Sequence, residues 1–210
     1  MTIDHPIFLE SIRIIKAKLR PTGLDQFEQD LLERLIHTTG DLSLASLLRF
    51  SPFACKKGIQ ALKAGAPILT DTFMAKVGIE SMARKTLGSK VRCILEWAPE
   101  HSKNGLTRTA IGLKNAWPEL STQFLSPKSP LVVIGSAPTA LEALLDLIDS
   151  GAPVPSLIIG MPVGFVGVLN SKERLANNSC AQIRLNGNRG GAAMAASAIN
   201  SLLRSSIKEA

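Results

Sequence analysis

Five short, mostly apolar runs closed off by turn-forming residues constrain this chain most: APILTD (66–71), VRCILEW (91–97), LVVIG (131–135), SLIIG (156–160) and CAQIRL (180–185). Such runs are too short for independent helices, and their apolar character fits strands that bury both faces. Segments with helical periodicity lie between or after them, among them TRTAIGLKNAW, PTALEALLDLID and AAMAASAINSLL. Strand alternating with helix predicts an α/β fold: a single domain over residues 1–210, with a mostly parallel five-stranded sheet flanked by helices. No internal repeat, low-complexity segment or linker interrupts it, and HSKNG and LSPKSP are expected as surface loops.

Two helices announce their ends. In DQFEQDLLERLI (25–36), Phe27, Leu31, Leu32, Leu35 and Ile36 share one face, and Asp25 with Glu28 forms a capping-box signature, so a helix should end at or near His37. In SPFACKKGIQALKAG, Ser51 is the expected N-cap, Pro52 the first helical residue and Gly65 the stop.

Lysine and arginine (24) outnumber aspartate and glutamate (17), a surplus that draws anions. Aromatics are only 4% of the chain, tyrosine is absent and no basic tail occurs. The stacking platform and charged arm of a nucleic-acid binder are therefore missing, and a multiply charged small molecule suits the charge as well. Cys55, Cys93 and Cys180 are odd in number and free of any C-x-x-C pair, which argues against a disulfide framework and a zinc site. They read as reduced cytosolic thiols. The opening MTIDHPIFLESIRIIKAKLR has charges among its apolar residues and no small-residue cleavage site, so no signal peptide is expected. Apolar stretches such as SLIIGMPVGFVGVLN are broken by glycine and proline and too short for a membrane span. The expectation is a soluble cytoplasmic protein with no metal site and no cofactor.

In open parallel sheets, ligands gather at the carboxyl ends of strands, where helix N-termini and loop amides converge. Three loops follow expected strands: GSAPTA (135–140), GMPVGFVG (160–167) and NGNRGG (186–191). None matches the glycine patterns of dinucleotide or nucleoside-triphosphate sites, and their glycines serve tight turns equally well. Lys63, Arg108 and Lys172 are candidate anion contacts, although a charge near a helix end is ordinarily a solvated surface group. Ser11 reads equally as an exposed helical serine, and Met161 and Phe165 as core packing. Of three histidines only His37, in RLIHTTGD (34–41), closes an apolar helical run. It is either a cation favoured by the helix dipole or a catalytic group. With no nucleophile elbow and no second ligand at metal spacing, a catalytic His37 would act alone as acid or base.

Taken in order, RLIHTTGD, ALKAGAPILTDTFM, GLTRTAI, VIGSAPTALEALL, GAPVPSLIIGMPVGFVGVLNSKERL and NGNRGGAAMAASAINSL resemble the precorrin-8X methylmutase (precorrin isomerase) family of cobalamin biosynthesis over nearly the whole chain. The resemblance implies an α/β domain with a parallel sheet, assembled as a homodimer with active sites near the subunit interface. It implies an isomerisation in which a methyl group migrates between adjacent ring carbons of a tetrapyrrole. The reaction gives hydrogenobyrinate from precorrin-8X, or cobyrinate from cobalt-precorrin-8.

The resemblance makes His37 the catalytic residue and Ser11 and Arg108 substrate contacts. By motif position, Lys63 and Lys172 are expected to meet the substrate carboxylates, and Gly164, Phe165 and Val166 to line its ring. Product transfer to the next pathway enzyme is a further expected partnership; a non-catalytic corrinoid-binding or carrier protein is the alternative. The chain departs from the family pattern at Ile12, where phenylalanine is frequent, and at Ala192, where serine is common.

Overall fold

A sixth strand, β1 (Leu48–Phe50), precedes the five expected ones, β2 (Ile68–Thr70), β3 (Val91–Cys93), β4 (Leu131–Ile134), β5 (Leu157–Gly160) and β6 (Gln182–Leu185). A computed structural model of the chain describes residues 5–102 and 105–208; Lys103 and Asn104 of the HSKNG loop lie outside the described residues. The sheet order is β1-β6-β5-β4-β2-β3, and every pairing is parallel except β1 with β6. The expected five strands are thus corrected to six. Leu48-Arg49-Phe50 is too short, and its middle residue too polar, to leave an apolar run. VRCILEW is strand only as far as Cys93. Ile94–Trp97 form a 3-10 turn whose Glu96 carboxylate accepts from the Cys93 amide at 2.9 Å.

Eight α-helices lie among the described residues: α1 (Pro6–Lys18), α2 (Gln26–Thr39), α3 (Ala54–Lys63), α4 (Phe73–Lys85), α5 (Arg108–Gln123), α6 (Pro138–Asp149), α7 (Val168–Ala176) and α8 (Ala192–Lys208). On one face of the sheet α2, α3, α4 and α8 share a core that includes Leu31, Leu35, Ile59, Ile79, Ile199 and Leu202. On the other, α5, α6 and α7 contribute Leu113, Trp117, Leu141, Leu144 and Leu175. Because both faces are covered, β2, β4 and β5 are buried at every position, as a parallel sheet requires. No helix among the described residues is long and apolar enough to cross a membrane.

The ends of α2 follow expectation: Asp25 and Glu28 form the reciprocal capping box, and Gly40 closes the helix at φ 70° in the left-handed region. The start of α3 does not. Phe53, at φ 61°, precedes the helix, and the Ser51 hydroxyl accepts instead from the Gln182 amide at 2.9 Å, tying the end of β1 to β6. Helix α5, expected as far as Trp117, continues through Pro118 to Gln123. An internal proline costs about 3 kcal/mol. Here Trp117, Leu120 and Ser121 are buried, and the Trp117 indole donates to the Pro153 carbonyl at 3.0 Å, so packing holds the helix together.

The chain steps from β2 outward to β3, then returns past β2 to β4, β5 and β6. The topological switch therefore lies between β2 and β4, and the crevice above their carboxyl ends is where such sheets place ligands. Helix α3 packs over the opposite edge: a Cβ at Gly58 would meet the side chains of Leu157 and Leu131, the first residues of β5 and β4.

Candidate active site

His37 stands in the last turn of α2. Leu31, Leu32, Leu35 and Ile36 anchor the helix in the core, while residues 37–40 are exposed. Nδ1 of His37 lies 2.9 Å from the Ser11 hydroxyl. The same ring meets Phe8 edge to face, with centroids 4.9 Å apart and planes at 86°. Phe8 and Ser11 are three residues apart on α1, on one helical face, so one helix fixes the ring carried by another. The next residue, Thr38, ties α2 to α8 through a 2.6 Å hydroxyl–hydroxyl bond with Ser197. Among the described residues Nε2 makes no hydrogen bond. A helix dipole accounts for a histidine at this end but not for two contacts that orient an exposed ring through Nδ1 and one edge and leave Nε2 without a hydrogen bond among the described residues.

At the switch point Asp71 directly follows β2 and is fully buried. Its Oδ2 accepts from the backbone N–H groups of Gly135 (3.0 Å), Ser136 (2.5 Å) and Ala137 (2.9 Å) at the start of α6. Burial pushes the Asp71 carboxyl above the usual carboxylate range, while the three amides pull the other way. The amino end of α6 is thus already occupied by the protein's own carboxyl group.

The three strand-end loops touch one another. A Cβ at Gly135 would lie 2.8 Å from the Ala192 Cα, and one at Gly190 only 2.0 Å from the Met161 carbonyl oxygen. Only glycine permits these approaches. From α7, Lys172 donates its ammonium to the carbonyls of Gly187 and Arg189, both at 2.6 Å. The side chain is buried, which pulls its pKa down to about 8. Arg189 in turn pairs with Asp41 and donates to the Ser43 hydroxyl at 2.6 Å. This links the loop after β6 to the segment just beyond His37.

The family model for precorrin-8X methylmutase matches residues 6–205. The chain belongs to the precorrin-8X methylmutase family. It is 36% identical over 221 residues to the cobalt-precorrin-8 methylmutase of Synechocystis sp., covering 99% of this chain and 98% of that one. It is 40% identical over 201 residues to the precorrin-8X methylmutase of Pseudomonas aeruginosa, covering 93% of both. The crystal structure of the precorrin-8X methylmutase from Thermus thermophilus superposes with a TM-score of 0.85 at 33% identity, covering 98% of this chain and 99% of that one. As a precorrin-8X methylmutase family member, the chain is an isomerase of cobalamin biosynthesis.

The residues that the methylmutase resemblance brought forward are distributed unevenly. Ser11 and His37 touch. Gly164, Phe165 and Val166 lie in the loop after β5, at the carboxyl edge of the sheet, with Phe165 and Val166 87% and 88% exposed. Arg108 is the exposed first residue of α5, and its Nε donates to the Pro99 carbonyl at 2.9 Å. A 2.7 Å bond between Thr107 and Thr139 sets that helix start beside the start of α6, so Arg108 shares the carboxyl edge with His37 but approaches from the other face of the sheet. Lys63 stands elsewhere, exposed at the end of α3 and leading into the amino end of β2. Lys172 is turned inward, holding the loop after β6 rather than facing outward.

Both departures from the methylmutase pattern have a structural setting. Ile12 packs against the α1–α2 side of the core, and Ala192 is the buried first residue of α8, under Gly135. Three further residues escaped sequence reasoning. Asp71 closes the apolar run 66–71, where a carboxylate reads simply as a turn former. Phe8 precedes Ser11 by three positions and Arg34 precedes His37 by three, a spacing that placed each on its partner's helical face. Arg34 and Arg204 both sit over the Phe8 ring, their guanidinium carbons 4.7 and 5.4 Å from its centre. Among the described residues no group of three His, Cys, Asp or Glu side chains is placed to hold a metal ion.

Proposed function

We propose that the chain converts precorrin-8X, or its cobalt-containing counterpart, into the fully conjugated corrin acid, with His37 as the single acid–base group. The observation that carries this reading is the exposed His37 ring, oriented by Ser11 at Nδ1 and by Phe8 at its edge, with Nε2 unbonded among the described residues. A proton placed on the macrocycle makes its conjugated system electron-poor and eases departure of a methyl group from one ring carbon. The carbon–methyl bond re-forms at the adjacent carbon, the double bonds shift, and the proton returns to His37, so no atom is gained or lost. An imidazole, which can carry a proton on either nitrogen, suits that exchange. Arg108, on the same edge, is the proposed carboxylate contact.

The active species is proposed to be a homodimer. Phe165, Val166, Met74 and Val77 are 87%, 88%, 74% and 67% exposed, and all lie at or near the carboxyl edge of the sheet. A second copy would cover them and close the site over a large ring. The open rim also suits direct transfer of product to the next enzyme of the pathway. The three cysteines are unpaired and buried, which fits a cytoplasmic setting.

The test is incubation of purified protein with metal-free and with cobalt-containing precursor, following the ultraviolet–visible change as conjugation is completed. Turnover of either supports the proposal and identifies the natural route. Tight binding without spectral conversion would favour a corrinoid carrier, and absence of both binding and conversion would reject the reading.

A further inference from the structure

Beside β1, at the end of the sheet, lies a groove of about 1350 Å³. One wall is β1 with the 3-10 turn Leu42–Ser46 before it; the other is the stretch from Lys18 to Leu24 between α1 and α2. Two main-chain bonds fix the way β1 turns its polar groups. The Asn186 N–H donates to the Leu47 carbonyl and the Ser51 N–H to the Gln182 carbonyl, both at 2.9 Å. Leu47, Arg49 and Ser51 therefore face β6, and the main-chain groups of Leu48 and Phe50 point away from it, on the groove side. Among the described residues the Leu48 and Phe50 amides make no hydrogen bond. Such an edge is a template for a further strand.

The charge along this edge has one sign. Lys18, Arg20 and Arg49 line the groove, and Arg184 stands directly opposite Arg49 in the β1–β6 ladder. Among the described residues none of the four forms an ion pair, and the Arg49 guanidinium donates to the Leu48 carbonyl at 2.8 Å. Glu28, the acid in the lining, is engaged in the α2 cap, where it accepts from the Asp25 amide at 3.1 Å. Like charges set opposite each other weaken a ladder. Burial and the Arg49 charge both disfavour the charged form of Arg184. Cations on an edge strand deter self-pairing, and two copies joined through β1 would crowd cation against cation. A partner of opposite charge meets no such barrier.

We infer that β1 and its groove take up an extended acidic segment of another protein as an added strand. Strand alternation dictates the pattern of that segment. Residues beside Leu48 and Phe50 fall on the face where those side chains join the core with Leu19, Leu24 and Ala45, so they are apolar. The residue beside Arg49 falls on the opposite face, next to two guanidinium groups, so it is aspartate or glutamate. Main-chain bonds to Leu48 and Phe50 give affinity, and the alternation of acidic with apolar side chains gives specificity. At its other end the groove adjoins the candidate site, because Ser43 in its lining accepts from Arg189 of the loop after β6. A partner docked there stands next to the rim.

The test titrates the full chain with fluorescent synthetic peptides and reads anisotropy. The probe alternates glutamate and valine. One control holds the same residues in two blocks, and another carries N-methyl groups along its backbone. The alternating peptide should bind about tenfold tighter or more than either control, and should protect the Leu48 and Phe50 amides from hydrogen exchange. Arg49→Glu should weaken it by about tenfold or more, and a peptide alternating lysine and valine should then be the better ligand for that variant. Arg20→Glu is read in the same way, which keeps the inference testable if one variant folds poorly. Equal binding of the alternating and block peptides would reduce the edge to a patch that attracts anions and would overturn strand addition. Absence of binding by the alternating peptide, or binding indifferent to both charge reversals, would overturn it as well.

Discussion

The Ser11 hydroxyl and Nδ1 of His37 lie 2.9 Å apart, a hydrogen bond between α1 and α2 across 26 positions of sequence. A serine hydroxyl donates once and accepts twice, so it can hold the imidazole and still meet a substrate. When Ser11 donates to Nδ1, the proton of a neutral ring sits on Nε2, ready to be lent. Ser11→Ala should therefore lower kcat about tenfold, which corresponds to about 1.4 kcal/mol, the net worth of one orienting hydrogen bond, with little change in KM. Steady-state kinetics across pH are the check; a rise in KM alone would make Ser11 a substrate contact and nothing more.

His37→Ala should keep the fold and lose the reaction. The side chain is exposed and its helix is anchored by Leu31, Leu32, Leu35 and Ile36, so unfolding midpoints should stay near wild type. Turnover should fall by about 10²-fold or more, with partial recovery in added imidazole. A folded His37→Ala variant with near-normal turnover would remove the mechanism.

Asp71→Ala strips a single acceptor from three amides, two of which, at Gly135 and Ala137, are buried. Each buried donor left unpaired costs about 1–3 kcal/mol, so urea unfolding should show a loss of about 3 kcal/mol or more. Amide hydrogen exchange should accelerate first at residues 135–137.

Lys172 supplies a pH dependence. Its pKa is lowered by burial from 10.5 in the unfolded chain to about 8, so between these values the unfolded state binds the extra proton. Stability then rises as pH climbs from about 8 towards 10.5, and the gain disappears as pH falls through 8. Urea unfolding of wild type and Lys172→Met at several pH values should show the difference between them moving in favour of wild type by up to about 3 kcal/mol. A difference that stays flat across the window would mean that the Gly187 and Arg189 carbonyls hold the ammonium fully charged.

Phe165→Asp places a charge on the most exposed apolar part of the rim. If two copies meet there, light scattering should show a shift to monomer, and turnover should fall with it. A monomer of undiminished activity would refute the proposed assembly.

Much of the fold was legible because both sheet faces are covered: a strand buried on two sides writes itself as an unbroken apolar run, and five strands did. What was missed obeys a different rule. In α4 the buried Ala75, Ile79 and Ala83 share the helix with exposed Phe73, Met74 and Val77, so apolarity on both sides erased the amphipathic stripe. Helix α7 inverts the usual order, burying Ser171 and Lys172 while exposing Leu169. Its lysine satisfies loop carbonyls, a partnership between distant segments that no local pattern carries. At the site, His37 stood out by its position, whereas Asp71 and Arg34 acquire meaning only when β2 meets α6 and α1 lies on α2.

The contacts at Gly135 and Gly190, where neighbouring main chain leaves no space for a methyl group, bear on how enzymes of this shape can diversify. Loops that touch backbone to backbone cannot be lengthened or exchanged one at a time, because any insertion in one displaces the other two. A chimera that grafts a single rim loop from a relative should fold poorly, whereas exchange of all three together should be tolerated. New ring preferences are then expected to arise chiefly through side chains pointing out of the rim, with the loop lengths inherited as one unit.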